Sequence, residues 1–216
     1  MAGWTPPAGS TTRWLLACMV GLGLGLPLAT LWDLALMRDL VLPPAWRVGM
    51  ATMALRALGG AITGFCLGVA QAWALRHTYP SLPRLRWAGA TAAAGFLAAL
   101  ASMAAWGLLM LQYEERPMLA FLLAGPLVSG LCGGLLYGLA QGFVLDGAVV
   151  ARSRWVWLVT LGWVAASALF SLQWLLGVAA MLTLAANAVV GGVIEGLALG
   201  LVTVGAFRFM PPRPVP

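Results

Sequence analysis

The chain alternates long apolar stretches with short polar punctuation. Apolar runs fall at about 13–32, 49–75, 87–111, 118–145, 155–175 and 180–207. Each reaches the roughly 20 residues that cross the hydrocarbon core of a bilayer as a helix. The breaks carry helix-ending residues. Pro43-Pro44 precede the second run, Pro80 and Pro83 the third, Glu114-Glu115-Arg116-Pro117 the fourth, and Asp146-Gly147 through Arg154 the fifth. The break near Gly177 holds no charge and predicts a very tight turn, with one long kinked helix over the last two runs as the alternative. Segment 33–42, apolar between Asp33, Arg38 and Asp39, predicts a short helix lying in the outer membrane interface and ended by Pro43. The expected fold is an all-α transmembrane six-helix bundle, a single integral membrane domain over residues 1–216.

Small and polar positions recur inside these runs. Gly60, Gly64, Gly68 and Gln71 are spaced four, four and three apart, and Gly130, Gly134, Gly138 and Gln141 repeat that spacing 70 residues later. The sixth run continues the pattern as Ala188, Gly192, Gly196 and Leu199, without the glutamine. At 100° per residue such offsets fall on one stripe about 80° wide, where glycine lets a neighbouring backbone approach. Trp14 and Trp32, Trp87 and Trp106, and Trp155 and Trp174 bracket the odd runs in the same way. The expectation is three parallel two-helix repeats, about 13–76, 87–146 and 155–208, around a pseudo-threefold axis along the membrane normal. Glycine-striped helices two, four and six are expected at the centre. The odd helices are expected outside, with tryptophan at headgroup level.

Through Gly64, Gly68, Gln71, Leu75 and Arg76, and again through Gly134, Gly138 and Gln141, the chain resembles a set of uncharacterised bacterial polytopic membrane proteins. Those proteins are built from G-x-x-x-G-x-x-Q hairpins that end near Leu-Arg. The second copy departs from the pattern with Asp146, and the third has no glutamine. The resemblance implies the repeat architecture and no activity. Glycine-striped helices are also similar, in a generic way, to those of mitochondrial translocase channel subunits.

Composition restricts the class further. The chain is 62% hydrophobic and 8% charged, against about 45–50% and about 25% in soluble domains. That excludes a soluble enzyme, a disordered tail and a secreted disulfide scaffold. All 12 basic residues are arginine, and with 6 acids the net charge is +6. Eight arginines fall at the N-terminus, the second and fourth loops and the C-terminus; three fall on the opposite side, with Asp33, Asp39, Glu114 and Glu115. This positive-inside bias predicts a bacterial inner membrane protein with both termini cytoplasmic. Single arginines at the ends of apolar runs do not form a phosphate-tracking stripe, so no nucleic-acid partner is expected. Cys18, Cys66 and Cys132 lie in apolar runs without a C-x-x-C pair and read as packing residues. The first run matches later ones and reads as a retained helix rather than a cleaved signal.

Few polar groups lie inside the runs. Glu195 sits mid-span on the glycine stripe, and a carboxylate in lipid is a functional candidate by default. Its expected repeat equivalents are Leu67 and Tyr137, and Tyr137 is a possible hydrogen-bond partner. Arg56 lies on the same face of the second run. It stands about 16 Å from the Glu195 level, which favours snorkelling or an external acid such as Asp33. Gln71 and Gln141 predict interhelical hydrogen bonds, or a polar site shared with Glu195. His77 is the single histidine and reads as interfacial. Ser129-Gly130 has no histidine in the sixth run to serve as base, so an intramembrane protease is excluded. No catalytic set, metal cluster or cofactor motif is present, and the chain reads as no enzyme. The leading expectation is a non-catalytic subunit or accessory protein of a larger membrane complex, partnered by lipid and other integral membrane proteins. The alternative is a small-solute or ion carrier with its polar site around Glu195.

Overall fold

The computed structural model describes residues 4–39, 49–112, 118–146, 148–149, 152–176 and 183–213. Its long helices are α1 (Ser10–Asp39), α2 (Met50–Leu75), α3 (Arg84–Gln112), α4 (Met118–Leu145), α5 (Arg152–Leu175) and α6 (Leu184–Thr203), followed by a short α7 (Ala206–Phe209). All six long helices are apolar and long enough to cross a membrane, so the protein is polytopic and all-helical among the described residues. The last two runs are separate helices, since α5 ends at Leu175 and Thr183 caps α6 by accepting the Ala186 N–H at 3.3 Å. The turn near Gly177 lies outside the described residues, as do the Pro43-Pro44 and Glu114–Pro117 breaks. The interfacial helix expected at 33–42 is not separate: α1 continues unbroken to Asp39, even through Pro27. Nothing in 33–39 breaks the helical hydrogen bonding, so the apolar period simply extends the span.

Consecutive helices pack side by side, and α6 returns to pack on α1, giving a ring in chain order. This corrects the expected arrangement. Helices two, four and six do not gather at the centre; each is flanked by odd helices. The reason is where the glycines point. A Cβ at Gly60 would fall on the Gly95 carbonyl and one at Gly64 on the Thr91 carbonyl, while one at Gly68 would lie 2.9 Å from Ala88 Cα. Likewise Gly134 and Gly138 meet the Cα atoms of Thr160 and Val156 at 2.7 and 2.9 Å, with Gly130 against Ser167 and Trp163. Gly192 meets the Leu22 carbonyl, Gly196 the Cys18 carbonyl, and Gly200 the Leu15 side chain at 3.0 Å. Each even helix therefore lays its stripe on an odd helix: α2 on α3, α4 on α5, and α6 on α1. A narrow stripe serves one neighbour, so it cannot also face the centre.

In α6 the close contacts are made by Gly192, Gly196 and Gly200, and Thr203 follows them at the same four-four-three spacing. Large apolar side chains such as Phe143, Trp157 and Leu201 cover the outside of the ring, as a lipid-facing surface requires.

Candidate functional site

At the end of the molecule that carries both termini, the ring interior is filled. Trp14, Trp87 and Trp155 begin the three odd helices, and all three are buried to within 1% of their surface. Trp155 makes edge contacts with Trp14 and Trp87 at centroid separations of 5.6 and 5.7 Å. These residues do not mark the headgroup level as expected. Each stands beside the small, open end of a glycine stripe, and an indole filling that space buries more apolar area than one at the rim. Trp157, 64% exposed, shows what a lipid-facing tryptophan of the same helix looks like.

The polar ends of the stripes satisfy these indoles. Trp155 Nε1 donates to Gln141 Oε1 at 3.2 Å, and Trp14 Nε1 donates to Thr203 Oγ1 at 2.8 Å. Gln141 Nε2 donates to Gln71 Oε1 at 2.9 Å and to Thr91 Oγ1 at 3.2 Å, and Gln71 Nε2 lies 3.6 Å from Cys18 Sγ. Trp87 Nε1 alone of the three indoles is buried without a partner. Gln71 and Gln141 thus belong to a packed layer.

The C-terminal segment closes this end. Phe207 packs edge-on against Trp14 at 5.4 Å. Tyr79 Oη donates to the Met210 carbonyl at 2.8 Å, and Arg213 N and Nε donate to the Ala148 and Val149 carbonyls at 2.9 and 3.0 Å. Burial in the turn after α2 holds the Tyr79 phenol above its ordinary pKa, so it stays a donor. His77 is exposed at the same surface and accepts the Arg76 Nε–H at 2.8 Å.

The opposite half is different. A cavity of about 260 Å³ opens there, lined by Leu26, Ser102, Trp106, Pro126, Ser129, Ser167, Phe170 and Glu195. Five helices contribute to it. Glu195 is 8% exposed and makes no hydrogen bond or ion pair among the described residues. Tyr137 is buried nearby but stacks on Trp163 at 4.6 Å and makes no hydrogen bond to Glu195. Ser129 Oγ is buried in the cavity wall without a partner.

Comparison with known protein families, with curated proteins and with solved structures finds no match to this chain. The site therefore has to be read from its own chemistry.

Arg56 is not part of the cavity. Its guanidinium is held by both oxygens of Asp33, Nε at 2.8 Å and Nη2 at 3.1 Å, tying α2 to α1 at the far end. This pair lines a second cavity of about 350 Å³ that shares Leu26 with the first. The five residues singled out in the sequence as a polar site are therefore not gathered in one site, although Tyr137 lies close enough to Glu195 to feel its charge. Gln71 and Gln141 lie in the tryptophan layer, Tyr137 on Trp163, Glu195 in the cavity and Arg56 above it. Sequence reasoning missed Ser102, Ser167, Trp106 and Phe170 as cavity residues. Their only signal was hydroxyl and aromatic groups in otherwise aliphatic stretches.

Proposed function

We propose that this protein is a small-solute carrier of a bacterial inner membrane, with its ligand site in the cavity around Glu195. One observation carries the reading: a carboxyl group more than nine-tenths buried between membrane helices, facing a cavity of mixed serine and apolar lining, with no hydrogen bond or ion pair among the described residues. An ionisable group in that position is costly, and the cost is accounted for when a ligand supplies the missing partner. The arginine bias supports cytoplasmic termini, so the tryptophan layer closes the cytoplasmic end and the cavity faces outward. The matched glycine contacts of α2–α3, α4–α5 and α6–α1 support three repeats around a pseudo-threefold axis. The resemblance to G-x-x-x-G-x-x-Q hairpin proteins agrees with that architecture.

The test is the mass and composition of the particle after gentle solubilisation of native membranes. A particle containing only this chain, in one to three copies, is the expected result. A stoichiometric second integral membrane protein would instead make the chain a subunit.

A further inference from the structure

The cavity walls restrict the class of ligand. Among the described residues that line it, Glu195 is the one ionisable side chain. Of the other acids whose side chains are described, Asp33 holds Arg56 at 2.8 Å and Asp146 holds Arg152 at 3.1 Å. Among the described residues Glu195 has no counter-charge, and the sequence contains no lysine. Ser102, Ser129 and Ser167 add hydroxyls, and Ser129 Oγ has no partner. Trp106 and Phe170 add aromatic surface, which attracts cations through the ring quadrupole. A divalent metal ion fits poorly, since no group of three His, Cys, Asp or Glu side chains gathers among the described residues and hard cations need several oxygen ligands. The volume of about 260 Å³ lies below the range of drug-sized pockets and suits a small ligand.

We infer that the Glu195 cavity binds a small organic monocation of the alkylammonium class. Its charge pairs with Glu195, its N–H groups meet the serine hydroxyls, and its alkyl part lies against Trp106 and Phe170. This inference rests on the reading of the cavity as a ligand site.

The test uses the full chain in lipid nanodiscs, titrated calorimetrically with n-butylammonium, n-butanol and butyrate. The inference expects n-butylammonium to bind at least about tenfold more tightly than the other two, with Glu195→Gln erasing that preference. A second measurement does not depend on the Glu195 variant folding. Alkylation of a Ser129→Cys variant should be slowed by n-butylammonium and not by butyrate. If n-butanol binds as well as the cation, or Glu195→Gln leaves the preference intact, the cation class is overturned while the cavity remains a ligand site. If none of the three probes binds and none protects the Ser129→Cys thiol, the ligand-site reading fails with it.

Discussion

The two halves of this helical ring are made from the same six helices and solve the same packing problem in opposite ways. At the terminal end, glycine stripes leave room and three tryptophans fill it, with Gln71, Gln141 and Thr203 taking up polar atoms. At the far end, three serines and a carboxyl group face the interior together with Leu26, Pro126, Trp106 and Phe170, and space remains. Close packing is the default of a protein interior. On the proposed reading, the unfilled half is where a ligand sits.

The largest effect is expected where backbone meets backbone. Gly134→Leu would drive a side chain into Thr160 Cα, which a rigid helix cannot yield to. A loss above about 3 kcal/mol is expected, enough to remove the monodisperse peak in fluorescence-detected size exclusion. Survival of that peak would break the ring described here. Trp155→Ala empties the centre of the filled layer and should cost about 3–5 kcal/mol, read as a lower melting temperature in detergent. Trp157→Ala, two residues away on the lipid face, should cost far less; equal losses would erase the distinction between the two ends. Gln141→Leu removes three hydrogen bonds worth about 0.6 kcal/mol each in membranes, and should lower the same melting temperature by less than Trp155→Ala. Arg56→Ala breaks only a partly exposed ion pair. It should change stability by less than about 1 kcal/mol, with the small effect shrinking further in high salt.

The uneven legibility of the sequence follows the same division. Six spans were readable because a bilayer demands about 20 apolar residues in a row, and length alone reveals them. The glycine and glutamine spacing was readable because close helix approach needs small residues at helical intervals. Which neighbour the stripe faces was not, since α3 and a central helix would satisfy Gly64 equally well on sequence grounds. That Gly192 and Gly196 would meet the Leu22 and Cys18 carbonyls of α1 was likewise not legible from spacing. Burial of Trp14, Trp87 and Trp155 was hidden for a related reason: a tryptophan near a span end usually marks the interface. Glu195 stood out in the sequence as a costly group, but its surroundings come from five helices and no local pattern announces Ser102 or Phe170.

The claim that one end is sealed and the other open is tested most directly by thiol accessibility. In a background with Cys18, Cys66 and Cys132 replaced by alanine, single-cysteine variants Ser129→Cys and Thr203→Cys would be treated in oriented membrane vesicles with a charged, membrane-impermeant thiol reagent. Rapid modification of the Ser129→Cys variant from the external face, with the Thr203→Cys variant unreactive from either face, is the predicted result. A reactive Thr203→Cys variant beside a silent Ser129→Cys variant would contradict it.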